Sequence, residues 1–294
     1  MALPSSGALS IDDIRTEVGS TSGSLATLSA AAGFAAPHAI SDFYGYASST
    51  PNDLYWDFSE NDGGAAFTGN AGSATVPFSF SMWVAPTWAA SDVNVLLFEI
   101  NSNSGVNTNR LMLIYDYGFN RLVFRNRSGS SNHHINWALN QNSAAGSISR
   151  WHSGSKGPVN SNGFVHLAGT FDPSQSLARD GLKLYWNGVP FNTTITEANG
   201  SNAAFNKTHM YINVAFNGAG DRAGDFDNVA FWFNRLLTST EITSLYNAGE
   251  PITAGDAGLT TGLNFEATME NSSFTDDTGN WTAGSVGGTA VSYE

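Results

Sequence analysis

A chain of 294 residues has room for one large β-domain with appendages, and 31 glycines, abundant Ser, Thr and Asn and only 13% charged residues suit many strands joined by turns. A net charge of −13 opposes binding to the phosphate backbone of nucleic acid, and the lack of cysteine excludes disulfides and thiolate metal sites. The N-terminal stretch has neither the basic start nor the apolar core of a signal peptide, and no later run is long enough to span a bilayer, so neither standard export nor membrane insertion is expected.

Residues 1 to 52 carry three short units, each with a polar cap and a few spaced apolar residues. Ser10 precedes Ile11, Ile14 and Val18 before Gly19; Ser24 precedes Leu25 and Leu28 before Gly33; Ile40, Phe43 and Tyr44 precede Gly45. Helices this short do not persist alone, so they are expected to fold against a surface, either the following β-domain or a partner. The stretch LPSSGALSIDDIRTEVG, beginning at Leu3, with AISDFYGYA after it, resembles an N-terminal segment of tailed-bacteriophage virion proteins. The match is good over residues 3 to 19 and 40 to 46. That resemblance implies attachment to other virion proteins through Leu3, Ile11, Ile14, Val18, Leu25, Leu28, Ile40, Phe43 and Tyr44, with the protein located on a virion assembled in the host cytoplasm. Release by lysis would also account for the missing export signal.

A polar linker ends near residue 52, and the β-domain is expected over 53–258. Val76, Phe78, Phe80, Met82 and Val84 alternate with mostly small polar residues, which predicts a half-buried strand over Ala74 to Val84. Val93 to Ile100 and Arg110 to Tyr117 follow as strands, the second turning at Gly118-Phe119-Asn120 into Arg121 to Arg127 as a hairpin. Residues 128 to 162 are polar and weakly periodic, the longest stretch expected to hold surface loops. Gly163 to Phe171 and Leu182 to Trp186 are strands, Asn187-Gly188 is a preferred type I′ hairpin turn, and His209 to Phe216 adds one more strand.

The strongest local signal is Gly224 to Tyr246. Apolar residues on both faces of Phe226 to Phe233 predict a central strand covered on both sides. Thr238 with Glu241 forms a capping box ahead of Ile242, Leu245 and Tyr246; Gly249 supplies the left-handed stop and Pro251 prevents resumption. Asp227, Val229, Asn234, Arg235, Leu237, Glu241, Ile242, Leu245 and Tyr246 together resemble the closing motif of laminin G-like, concanavalin A-like domains. His166, Asp172 and Asn187-Gly188 match a second motif of that family, with Phe164 where a tryptophan is usual. The resemblance implies an all-β jelly-roll sandwich with one short helix. The segment 259–294 echoes the opening of another such module but is too short to be one. It is read as terminal strands completing the sandwich; the alternative is pairing with a neighbouring subunit in a homo-oligomer.

Glucanases that share this sandwich place paired carboxylates on one strand as E-x-D-x-x-E, a motif missing from this sequence, where Glu99 and Asp227 stand isolated. With no H-E-x-x-H or G-x-S-x-G either, the chain is expected not to be an enzyme. The superfamily resemblance implies Ca²⁺ as a candidate cofactor, for which Asp221, Asp225 and Asp227 lie close in sequence, the last two on one strand face; alternatively Asp227 orients the following turn. His133 and His134 are adjacent on a chain where neighbours face opposite ways, so they are not expected to share a metal. Trp88, Trp137 and Trp151 lie in or beside loops, where an exposed indole stacks on a sugar ring; core packing is the commoner use of tryptophan. The functional expectation is a virion structural protein of tail, fibre or capsid surface that displays a lectin-like domain toward host-surface glycans. The alternatives are a decoration protein without a glycan ligand and a cellular carbohydrate-binding adhesin.

Overall fold

Three capped segments build the first of two units, Met1–Pro51. The computed structural model describes residues 7–17, 22–31, 39–44, 54–58, 64–74, 76–88, 94–101, 110–128, 131–191, 196–200, 205–215, 224–268, 274–287 and 289–292; Leu3, Val18 and Asp221 lie outside them. Helix α1 (Ile11–Glu17) begins at a reciprocal cap. The amide of Asp13 donates to the Ser10 hydroxyl at 3.1 Å and the amide of Ser10 to the Asp13 carboxylate at 2.9 Å. Helix α2 (Leu25–Ala31) starts with the Leu28 amide on the Ser24 carbonyl at 2.9 Å, and a 3₁₀ turn spans Ile40–Phe43. Ile14, Leu28 and Phe43 are fully buried in one shared cluster with Leu9, Ile11 and Leu25 packed against it. The Tyr44 hydroxyl donates to the Gly7 carbonyl at 2.7 Å, tying the ends of the unit together. The segments thus pack against one another and share a core that none of them has alone.

The second unit, Asn52–Glu294, carries the strands β1 (Leu54–Phe58), β2 (Ala65–Ala74), β3 (Phe78–Pro86), β4 (Val95–Asn101), β5 (Arg110–Asp116), β6 (Arg121–Ser128), β7 (Ser131–Ala138), β8 (Val165–Phe171), β9 (Leu182–Trp186), β10 (Val189–Pro190), β11 (Thr196–Asn199), β12 (Phe205–Ala215), β13 (Gly224–Phe233), β14 (Leu263–Ala267), β15 (Trp281–Val286) and β16 (Thr289–Ser292). They form two antiparallel eight-stranded sheets. The first runs β10-β9-β8-β3-β13-β1-β16 with β14 also on β13; the second runs β11-β7-β6-β5-β4-β12-β2-β15. The inner faces meet in one aromatic core, where Phe78, Phe80, Phe98, Phe124 and Phe231 pack ring to ring. This is the jelly-roll sandwich that the motifs implied. The final segment supplies strands to both sheets of the same chain. No helix among the described residues is long and apolar enough to cross a membrane.

Two short helices sit outside the sheets, α3 (Ala178–Gly181) and α4 (Ser239–Tyr246). Helix α4 begins at the expected box, with the Glu241 amide donating to the Thr238 hydroxyl at 3.2 Å and the Thr238 amide to the Glu241 carboxylate at 2.7 Å. It ends two residues before the expected glycine, because Asn247 at φ 43° already takes the left-handed position. Ile242 and Leu245 lie in one cluster with Ala168, Ala230 and Trp232, side chains of the first sheet's outer face. The lid explains one correction: β3 is buried on both faces, not one. Its outward Ser79 is used up below the lid, donating to the Arg235 carbonyl at 3.0 Å and accepting from the Leu237 amide at 2.9 Å.

A bulge explains why β13 reads as apolar throughout. Asn228 sits at φ 41° where the register to β3 shifts, so Phe226 faces the core before it and Val229, Phe231 and Phe233 after it. The stretch expected to be loops contains β7, whose Ile135 and Trp137 face the core while polar residues alternate with them. His133 and His134 do face opposite ways. The Asn187-Gly188 turn has φ of 51° and 74°, as a type I′ turn requires.

Candidate functional site

The hairpin tip between β5 and β6 presents the most open aromatic ring of the described residues. Phe119 is 71% exposed. A 3₁₀ turn over Tyr117–Phe119 and the left-handed Asn120 at φ 50° produce the reversal, and Asn120 fixes it. Its side-chain amide donates to the Ile148 carbonyl at 2.9 Å, while its Oδ1 accepts from the Tyr115 hydroxyl at 3.1 Å. Two guanidiniums lie over the two rings of the tip, Arg121 at 4.4 Å from the Phe119 centroid and Arg150 at 4.5 Å from that of Tyr117. Arg121 is held in turn by Asp116 at 2.8 Å. The result is an exposed ring with a guanidinium over one side, an aromatic surface of the kind on which a sugar face stacks. The turn was legible in the sequence. That its phenylalanine points outward was not, since apolar residues at a turn fold inward as readily.

The three tryptophans named as candidates for an exposed, sugar-stacking indole are in the core, which removes them as candidates and leaves the commoner use of the residue. Trp88 and Trp151 are fully buried and meet edge to face at 5.0 Å, with the Trp88 indole donating to the Trp151 carbonyl at 2.7 Å. The loops carrying them fold inward because a large ring between the sheets gains more than one in water. Trp137 is 2% exposed and packs 6.0 Å from Phe191. It lines a cavity of about 90 Å³ with Tyr185, Pro190 and Phe191, where Arg179 and Lys183 also contribute. In the N-terminal unit Ile14, Leu28 and Phe43 are likewise spent on the unit's own core, whereas Ile40 and Tyr44 remain 39% exposed.

The calcium set does not assemble from the described members. Asp227 is fully buried, and its Oδ1 accepts from the following amide of Asn228 at 2.7 Å, the turn-orienting role at the bulge. Asp225 pairs across strands with Asp57, which sequence reading missed because the two lie far apart in the chain. Burial pushes the Asp225 carboxyl up to about 7, the neighbouring Asp57 charge pushes the same way, and Lys156 opposes both. Among the described residues no group of three or more His, Cys, Asp or Glu could hold a metal ion.

His166 is fully buried, with Nε2 2.8 Å from the Ser81 hydroxyl and its ring 5.1 Å from Trp83, and burial lowers its pKa to about 3. It is therefore a neutral packing residue under the α4 lid. A broad, shallow groove of about 900 Å³ runs along α4, lined by Ser239, Thr240, Thr243, Ser244, Asn247 and Asp256 among others. It offers hydroxyl and amide groups but no aromatic ring.

The family model for concanavalin A-like lectin/glucanases matches residues 59–243, more than half of the chain. The chain belongs to this superfamily. Among solved structures the likeness is one of fold. A Bacteroides ovatus protein described as carbohydrate-binding shares 13% identity at a TM-score of 0.52, over 82% of this chain and 60% of that one. The heptameric SAP-like pentraxin of Limulus polyphemus shares 10% identity at 0.49, over 82% of this chain and 96% of that one. A structure of botulinum neurotoxin type C, whose cell entry depends on two ganglioside molecules, shares 18% identity at 0.38, over 60% of this chain and 37% of that one. The chain thus spans little more than a third of the toxin structure's length. No curated protein matches the sequence.

Proposed function

We propose that this is a non-catalytic structural protein of a bacteriophage virion, mounted through residues 1–52, whose lectin-like sandwich contacts host-surface glycan at the Phe119 tip. The observation that carries the reading is the N-terminal unit. The residues that resemble the virion-type segment build a self-cored plug with Ile40 and Tyr44 exposed. Such a plug can be captured by a neighbouring protein without further folding. The glycan half is supported by the superfamily and by the tip's geometry, and the Bacteroides ovatus likeness lends it the same direction.

Incorporation and adhesion are tested separately. Purified particles should contain the full chain, and deletion of residues 1–51 should abolish incorporation while leaving the sandwich folded. Particles lacking the protein altogether would overturn the virion reading. Phe119→Ala should weaken binding of the full chain to host cells or a glycan array about tenfold or more at unchanged stability. If the wild type binds no glycan at all, the protein is a decoration component, the second reading, which the inward burial of Trp88, Trp137 and Trp151 favours.

A further inference from the structure

Arg15, Arg110, Arg121, Arg179 and Arg235 each have a carboxylate partner, namely Asp12, Glu99, Asp116, Glu197 and Glu241. Arg150, beside the exposed tip of the β5–β6 hairpin, has none among the described residues. Its guanidinium donates to the Tyr117 carbonyl and lies over the Tyr117 ring. The side chain is half exposed and none of its nitrogens is a buried orphan, so the donors that the Tyr117 carbonyl does not take are open to water. The carboxylate at the tip is already engaged, since Oδ2 of Asp116 receives Nε of Arg121 at 2.9 Å and its Nη2 at 2.8 Å. Arg150 is also fixed in place by the backbone on both sides of it. The Ile148 carbonyl accepts from the Asn120 side-chain amide at 2.9 Å, and the amide of the fully buried Trp151 donates to the Tyr115 hydroxyl at 3.0 Å.

The fold therefore sets a solvent-facing cation without a counter-ion beside the turn that carries Phe119, a ring 71% exposed. Arg121 takes one side of that ring, 4.4 Å from its centroid, and leaves the other to a ligand. A neutral sugar stacked there leaves the free donors of Arg150 to water. A sugar bearing an acid gives them a charge-assisted partner, and the planar guanidinium matches a carboxylate or phosphate at two points. The net charge of −13 does not forbid this, because distant charges are screened beyond about 8 Å at physiological salt while the cation at the tip is local. We propose that the glycan met at the Phe119 tip is acidic, its ring on Phe119 and its carboxylate or phosphate on Arg150. The inference rests on the tip being the glycan contact and adds the charge of the ligand to that reading.

Calorimetric titration of the full chain tests this with an oligosaccharide of alternating glucuronate and N-acetylglucosamine, and with the same oligosaccharide after its carboxyls are reduced to alcohols. The acidic form should bind about tenfold or more tighter than the reduced form, and the gap should narrow as salt is raised. Arg150→Gln should close the gap by weakening the acidic form alone. Arg150→Lys, which keeps the charge and loses the planar fork, should keep part of it, and Phe119→Ala should weaken both forms. Glucose phosphate against glucose assigns the acid: a wider gap there than between the two oligosaccharides makes it a phosphate, a narrower one a carboxylate. Equal binding of the two oligosaccharides by the wild type overturns the acid preference and leaves the glycan reading of the tip standing. Equal losses of both forms in Arg150→Gln overturn it as well, because Arg150 then only braces the turn. Binding of neither form overturns it together with the tip as a glycan site.

Discussion

The outer faces of the two sheets arise from the same alternation of side chains but are finished in different ways. On the first sheet Ala168, Ala230 and Trp232 lie in one cluster with Ile242 and Leu245 of α4, and the Trp232 indole donates to the Leu259 carbonyl at 2.7 Å. The second sheet's outer face has a small apolar patch, Leu96, Met112, Ile114 and Val123, bordered by the arginines of β5 and β6. An apolar lid closes a face by burying more carbon. A border of arginines closes a face by charge pairing instead, Arg121 on Asp116 and Arg110 on Glu99, with the Nε of Arg125 left buried without a hydrogen-bond partner.

Four substitutions probe this difference. Trp232→Ala, which removes the ring beneath the lid and its hydrogen bond to the Leu259 carbonyl, should lower stability by about 3–5 kcal/mol in denaturant unfolding. Asp225→Asn acts on the same sheet. The folded carboxyl titrates near 7 against an ordinary 3.8, so the folded state holds its proton more tightly and wild-type stability drains away as the pH rises through that window. The variant should therefore gain on the wild type between pH 5 and pH 8, by on the order of 2 kcal/mol; a pH-independent difference would refute the raised carboxyl. Thr238→Ala removes the cap of the lid helix and should cost about 1 kcal/mol. Arg125→Met on the other face should stabilise by up to about 1 kcal/mol, because a half-buried guanidinium whose Nε lacks a hydrogen-bond partner is exchanged for carbon. Opposite signs for the Trp232 and Arg125 variants are the signature of the two finishes.

Much of the first finish was legible in the sequence. Thr238, Glu241, Ile242 and Leu245 announce a capped amphipathic helix through spacing alone, and Asn187-Gly188 announces a hairpin. The second finish was partly written there too, since Arg121, Arg125 and Arg127 fall at even spacing on a predicted hairpin strand. Net charge hid it. A total of −13 averages over the chain, whereas a sheet gathers arginines from neighbouring strands. β7 was taken for loop because its outward residues are polar and its inward ones are few. For the tryptophans the sequence left both placements open for a related reason, as a polar context says where the backbone runs and not which way a ring turns.

The sequence by itself determined the fold class, the capped helices and the tight turns, because periodicity, caps and left-handed positions are written over a few adjacent residues. Only the tertiary structure decided that Asp225 meets Asp57, that Arg125 and His134 face each other unmatched, that Phe119 looks outward, and that Ile14, Leu28 and Phe43 share one core. Each of these depends on strands or helices distant in the chain coming side by side, and the free energy of a charge or a ring is set by those neighbours.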